Sequence, residues 1–398
     1  MNRAHLERLR DGYRDALLGD TMPFWLSHAV DREFGGFLIS LGRDGAVIDT
    51  DKGIWSQARF TWMLATLCNE LPDRPEVAQW RDAAAHGIEF LRAHAFADDG
   101  RMWFQVTRDG RPLRRRRYVF TESFGAIAFA AWARASGDDA AADEARRLFR
   151  LMLDHLHTPG LITPKHEPGT RPMQGLAGPM IIIATAQALR DTIDEPLANE
   201  AIDGAIETIR RVHLNHELGA VLEVAGPDGA LLDCFDGRTL NPGHAIEAAW
   251  FVLAEAHRRG DDALIEVGTK MLDWSWERGW DRDHGGILYF VDVNGGPVQE
   301  YWHDMKFWWV HAEAIIATLW AYRKTGDERY LDRHAEVHDW AHSHFKDPDH
   351  PEWFGYLHRD GRISVDLKGN LWKGPFHIPR MQLLSWKLLD AILSRASA

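Results

Sequence analysis

Five stretches of the chain repeat one pattern, a glycine-containing apolar segment followed by a tight turn. The clearest copies are Asp31-Arg32-Glu33-Phe34-Gly35-Gly36-Phe37-Leu38-Ile39, with the turn Asp44-Gly45, and Asp281-Arg282-Asp283-His284-Gly285-Gly286-Ile287-Leu288-Tyr289, with the turn Asn294-Gly295. Weaker copies lie at 100–104, 219–222 and 353–357, with turns Asp109-Gly110, Asp228-Gly229 and Asp360-Gly361. Asx-Gly pairs between short apolar runs predict hairpins. Neighbouring copies are roughly 65 residues apart, with one gap about twice that, and such a period is architectural. Between the copies, apolar residues recur with helical spacing. The first helix is expected over 2–18, with Leu6, Leu9, Tyr13 and Leu17 on one stripe. Others are expected near 53–71, 75–94, 121–136, 139–156, 173–191, 195–213, 242–259, 261–277, 304–325, 327–344 and 378–395. Two helices and a hairpin per repeat close into a double ring of twelve helices, all-α, with the short β-hairpins and the site-building loops at one end. No linker or composition break divides the chain, so a single domain over 1–398 is expected.

A length of 398 residues supports a large core, and a net charge of −13 argues against nucleic-acid and anionic-membrane partners. The cluster Arg114 to Arg117 reads as a solvated face of a hairpin arm. Two cysteines, Cys68 and Cys234, give neither a disulfide framework nor a thiolate metal site. The N-terminus reads as a charged helix start without a signal peptide, and the apolar stretch 179–189 is too short to span a membrane, so a cytoplasmic location is expected. The 18 Trp are a high count; indole faces stack on sugar rings and also fill cores.

The segment Asn241-Pro242-Gly243-His244-Ala245-Ile246-Glu247 places chemistry at a helix start. Asn241 suits the cap and Pro242 the first helical position. His244 then lies in the first turn with Glu247 three residues on, on the same face. The helix dipole there favours a neutral imidazole held by a carboxylate, beside a place for an anionic intermediate. Gly374-Pro375-Phe376-His377-Ile378-Pro379-Arg380 starts the last helix and puts His377 in an equivalent position, expected on an opposed part of the ring. Two such histidines suit a two-sided proton transfer. On the second helix Trp55, Arg59 and Trp62 share a face, an arginine between two indoles that can bond a substrate oxygen. Glu122, near the start of the fourth helix, is a candidate substrate contact or a partner of the dipole. Trp308, Trp309 and Glu313 on the tenth helix offer a sugar-stacking face and a carboxylate. His334, His338 and His342 have the spacing of a metal stripe but read as surface histidines of an outer helix, because no cysteine or clustered carboxylate completes a site. No phosphate-binding glycine loop and no serine nucleophile elbow is present.

Four of these segments stand in an order that resembles the N-acylglucosamine 2-epimerase family. They are Trp55-x-Gln57-x-Arg59-x-x-Trp62, Asn241-Pro242-Gly243-His244-x-x-Glu247-x-x-Trp250, Lys306-x-Trp308-Trp309-x-x-x-Glu313 and Lys373-Gly374-x-Phe376-His377-x-Pro379-Arg380. The resemblance implies an (α/α)6 barrel and sugar 2-epimerisation or aldose–ketose isomerisation without a redox cofactor. It implies His244 and His377 as the acid/base pair, with Arg59 and Glu313 in the site. Glu247, Trp55, Trp308, Trp309, Trp372, Glu122 and Arg380 complete the expected substrate-binding set, with no metal. A homodimer and, in some members, activation by a nucleotide such as ATP are also implied.

Within the family, the cellobiose 2-epimerases and mannose isomerases carry a further histidine on the sixth helix. Here that stretch reads Gly178-Pro179-Met180-Ile181-Ile182-Ile183-Ala184, and His166 lies upstream in a loop. The expected reaction is therefore reversible C2 epimerisation of N-acetyl-D-glucosamine and N-acetyl-D-mannosamine. The alternative is an epimerase or isomerase of an unacylated sugar on the same fold. A glycoside-processing enzyme would need a pair of catalytic acids, for which no convincing pair stands out. A sugar-binding module without catalysis fits poorly with two positioned histidines.

Overall fold

The computed structural model describes residues 3–115, 118–164 and 166–395. Twelve long helices dominate it: α1 Arg3–Ala16, α2 Ile54–Glu70, α3 Val77–His94, α4 Phe120–Ser136, α5 Asp139–His157, α6 Ala177–Ile193, α7 Ala198–Thr208, α8 Pro242–Arg259, α9 Asp262–Gly279, α10 Trp308–Thr325, α11 Arg329–His344 and α12 His377–Arg395. The even-numbered helices pack in sequence, α2 on α4 and so on to α12, and form an inner ring. Lys387 of α12 meets Glu70 of α2 at 3.4 Å and joins its two ends. Each odd-numbered helix covers its partner from outside, with α1 on α12. Sequence dictates which ring a helix joins. The outer α5 buries Ala141, Ala145, Leu148, Phe149 and Met152, a single stripe. The inner α10 buries thirteen of its 18 residues and so needs neighbours on several sides. The chain is an (α/α)6 barrel.

The hairpins gather at the N-terminal ends of the inner helices and tie repeat to repeat. The strand before an inner helix pairs with the hairpin of the following repeat: Lys52–Gly53 with Gln105–Val106, Thr239–Leu240 with Val291–Asp292, and Lys306–Phe307 with Tyr356–Leu357. The circle closes where Lys368 and Gly369 bond to Leu41 of the first hairpin. A Cβ on Gly369 would stand 2.0 Å from the Ile39 carbonyl, so only glycine fits that closure. The double-length gap in the repeat corresponds to residues 158–176, where among the described residues only Gln174–Gly175 is a strand, paired with Val224–Ala225.

Three of the junctions share a buried clamp. Asp31, Asp281 and Asp347 each accept from a lysine, Lys52 (2.8 Å), Lys306 (3.0 Å) and Lys368 (2.9 Å) respectively. Each also holds an arginine from a hairpin turn: Arg108, Arg359 and Arg43. The lysines are fully buried, and the paired charges with their backbone acceptors meet the requirement for taking a charge out of water.

Some expectations shift. The tenth helix starts at Trp308 rather than near 304, and the sixth at Ala177 rather than near 173, because the preceding residues are strands. The end of the seventh helix is a π turn, Ile209–His213, and a further short helix, Met22–His28, follows α1. The histidine stripe is not on the surface. His334 is fully buried, and Tyr13 of α1 bonds His338 (2.7 Å) and His334 (3.3 Å), so the stripe is the seam between α11 and α1. Arg114 and Arg115 are exposed, while Arg116 and Arg117 lie outside the described residues. No helix of the described residues is long and apolar enough to cross a membrane.

Candidate active site

A cavity of about 980 Å³ opens among the N-terminal ends of the inner helices, the positive ends of their dipoles. His244 sits on α8 as expected. Asn241 caps the helix by accepting from the His244 N–H at 3.1 Å, and Pro242 takes the first position. Gly243 is needed for a further reason: a Cβ there would meet the Trp309 ring at 2.6 Å. Trp309 therefore lies against the start of α8, 5.4 Å from the His244 ring, and 5.9 Å from the His377 ring on its other neighbour α12. The two imidazoles are thus not on opposed sides of the ring. They stand on either side of α10, with one indole common to both.

The two histidines are held by different carboxylates. His377, the first residue of α12, bonds Glu313 through Nδ1 at 2.7 Å. Glu313 is fully buried and also accepts from Trp250 Nε1 (2.7 Å) and Arg380 Nη2 (2.6 Å). With Glu313 accepting from all three donors, the His377 proton is assigned to Nδ1 and the lone pair to Nε2. Burial, then the Arg380 charge and the more distant Arg59, hold this imidazole well below its ordinary value; it is neutral. His244 bonds Glu223 through Nδ1 at 2.9 Å. Burial opposes its charge, but Glu223, with Glu247 behind it, outweighs burial and raises the His244 pKa. The expectation that Glu247 holds His244 is therefore corrected: the carboxylate on its Nδ1 is Glu223, which favours the cation. Glu247, although three residues along the same helix, is drawn to Arg380 at 2.7 Å.

Arg380 bridges Glu247 and Glu313 and lies at the centre of the buried cluster. Oxygen and nitrogen atoms of Glu247, Glu313 and His377 come within 4.8 Å of one another, a spacing that suits a metal ion, but the guanidinium already supplies the positive charge there. Arg59 points into the cavity between Trp55 (4.7 Å), Phe124 (3.9 Å) and Phe376 (4.7 Å). The expected second indole, Trp62, packs instead on Phe376. Desolvation pulls the Arg59 pKa down to about 9, which leaves it charged at neutral pH, and among the described residues its Nε has no partner. The buried Trp308 Nε1 also has none, and both groups are positioned to donate to a ligand. Trp372, 44% exposed, stands at the mouth beside Trp55.

Glu122 is the expected site residue that the fold takes elsewhere. It is buried, pairs with Arg101 and accepts from the Met102 N–H, so it pins the second hairpin to α4. Its neighbours Phe120 and Phe124 face the cavity instead. Conversely, sequence reasoning missed Glu223 and the lining residues Tyr289, Trp302, Phe307 and Tyr356. Glu223 directly follows the third hairpin copy, and Tyr289 lies within the fourth. The repeat was the available signal, since its arms stand over the site.

The model of the family described as N-acylglucosamine 2-epimerase (GlcNAc 2-epimerase) matches residues 35–378. The N-acylglucosamine 2-epimerase of Homo sapiens is 38% identical over 95% of this chain and 90% of its own length. That of Bos taurus is 37% identical with the same coverage. The solved cellobiose 2-epimerase from Spirochaeta thermophila DSM 6192 superposes with a TM-score of 0.83, at 24% identity, over 98% of this chain and 99% of that one, a likeness of fold. With that match across the barrel and the paired histidines in place, the chain belongs to the N-acylglucosamine 2-epimerase family.

Proposed function

We propose that the protein interconverts N-acetyl-D-glucosamine and N-acetyl-D-mannosamine by proton transfer at C2. The observation that carries this reading is the pair of imidazoles flanking Trp309, each held through Nδ1 by its own carboxylate, His377 by Glu313 and His244 by Glu223. The sugar ring opens first, because the C2 proton is acidic only beside the free aldehyde. His377 Nε2 takes that proton, the C–H electron pair becomes the C1–C2 double bond of an enolate, and O1 carries the charge. Arg59 and the helix N-termini stabilise that oxygen. His244 then gives its proton to the other face of C2, and the reverse reaction exchanges the two roles. Glu313 and Glu223 orient the imidazoles, and Glu247 holds Arg380. Trp308, Trp309, Trp55 and Trp372 support and cover the sugar.

The chemistry draws on no redox cofactor and no metal; ATP as an activator rests on family resemblance alone. A homodimer rests on the same resemblance. To test the reading, the protein is incubated with N-acetyl-D-mannosamine, D-mannose and cellobiose in parallel and the products are identified by chromatography. Conversion of the acylated sugar, lost by about 10² or more in both His244→Ala and His377→Ala with helical content intact, is expected. Substantial turnover in both variants, or conversion of the unacylated sugars alone, would refute it.

A further inference from the structure

The cavity continues well past the histidines. Trp55, Arg59, Trp62, Thr66 and Glu70 all line it down one face of α2, a stripe about 22 Å long at 1.5 Å per residue. On α12 the lining runs from His377 through Arg380 and Leu384 to Lys387, about 15 Å. The reacting groups occupy only the first two turns. An N-acetylhexosamine is small for such a volume, which reaches the upper end of the range of about 300–1,000 Å³ that encloses drug-sized ligands.

Below the histidines the lining changes character in steps. About 10–14 Å down from the helix starts it is Ile127, Ala184, Phe251 and Leu384, with the Thr185 hydroxyl as a polar group among them. About 5 Å lower it becomes Thr66, Gln187 and Lys387, and then Glu70. The Glu70 and Lys387 side chains are 44% and 39% exposed, so the foot of the cavity lies at the opposite face of the barrel. The Arg380–Glu247–Glu313 cluster fills the side made by α8, α10 and α12. The facing wall is apolar on α4, with Phe120, Phe124 and Ile127, and mostly apolar on α6, where Met180, Ile181, Ala184 and Ala188 are interrupted by Thr185 and Gln187. A second sugar ring in the middle layer would meet the Thr185 hydroxyl and otherwise apolar side chains, leaving most of its hydroxyls without partners, a cost that an aliphatic chain does not incur.

We propose that this lower chamber is a channel for the N-acyl group and admits linear acyl chains longer than acetyl. The inference rests on the epimerase reading given above. C2 bears both the reacting proton and the acylamino group, so the acyl chain begins in the layer of the histidines. The hydroxylated remainder of the open-chain sugar turns to the mouth, where Tyr289, Trp302, Tyr356 and Trp372 offer their rings. The acyl chain descends along the α4–α6 wall.

The test is a series of initial rates with N-acetyl-, N-butanoyl- and N-hexanoyl-D-mannosamine. Each methylene taken from water tightens binding roughly fourfold, in ground and transition state alike. KM is therefore expected to fall along the series while kcat changes little. Ala184→Phe fills the middle layer; it should raise KM for the hexanoyl sugar more than about tenfold and leave N-acetyl turnover within about twofold. Should that variant fail to fold, Ala188→Leu, one turn lower, gives the same comparison. N-acetyl turnover with a hexanoyl kcat/KM more than about tenfold poorer would overturn the channel and leave the epimerase reading standing. An equal response of both sugars to the Ala184 substitution would also overturn it. Failure to turn over N-acetyl-D-mannosamine at all would remove the epimerase reading and the channel together.

Discussion

Replacing Glu313 by Gln tests how the base is held. Glu313 receives Trp250 on one oxygen and both His377 and Arg380 on the other, all three buried. An amide of the same shape has one oxygen, and its NH₂ must face at least one of these donors. The thermodynamic cost is that of a buried donor left without an acceptor, about 2 kcal/mol. A chain of 398 residues has an unfolding entropy near 0.8 kcal/mol/K, so the melting temperature should fall by only about 2–3 °C. The kinetic cost is much larger. Without the carboxylate, nothing keeps the proton on Nδ1 of His377, and Nε2 is no longer reliably the lone pair that meets C2. Loss of the orienting carboxylate of a catalytic histidine costs up to about 10⁴ in kcat. Glu313→Gln is therefore expected to lower kcat by about 10²–10⁴ with KM within severalfold, while calorimetry shows a folded protein. A kcat within about threefold of the parent would refute the claim that His377 depends on this carboxylate.

Glu223→Gln acts on the other imidazole. Because Glu223 raises the His244 pKa, its removal lowers it, and the high-pH limb of kcat/KM, where His244 loses the proton it must donate, should move to lower pH. An unmoved limb would mean that His244 is not the acid. Glu122→Gln should leave kcat/KM within about twofold and register only in the melting temperature, since that side chain serves Arg101 and the Met102 N–H. At Asp31 and Asp281, burial opposes the charge, but hydrogen bonds from the clamping arginine and lysine prevail and hold the carboxyl well below the usual carboxylate range; at Asp347 the Arg43 bond is the leading cause. The stability they contribute is present above the unfolded value near 3.9 and is lost as pH falls through the folded values, so thermal stability should drop steeply below about pH 4. Asp281→Asn should flatten that drop and cost about 3–5 kcal/mol at neutral pH, measured by denaturant unfolding.

The ring of helices was legible because the hairpin copies carry their own punctuation. Gly-Gly and Asx-Gly pairs mark where the chain must turn, and the spacing between them leaves room for two helices. The helix starts at His244 and His377 were legible for a similar reason, since Asn241, Pro242 and Pro379 are local signals. What the sequence did not disclose is pairing across the ring. Glu247 has the right spacing for His244 but is claimed by Arg380, 133 positions away, while Glu223 comes to His244 from a hairpin. Glu122 carries the signal of a helix-start carboxylate, yet the rotation of α4 aims it at Arg101. The inward histidine stripe of α11 was misread because its partner, Tyr13, lies 325 positions from His338. Helical periodicity tells which residues share a face; it does not tell what that face meets.

The most direct measurement is proton NMR of N-acetyl-D-mannosamine with the protein in D₂O. The account predicts N-acetyl-D-glucosamine carrying deuterium at C2, because the proton removed by one imidazole is replaced from His244, whose side chain is 28% exposed and exchanges with solvent. Product that retains the original proton at C2 through turnover, or loss of the C2 signal from mannose but not from the acylated sugar, would contradict it.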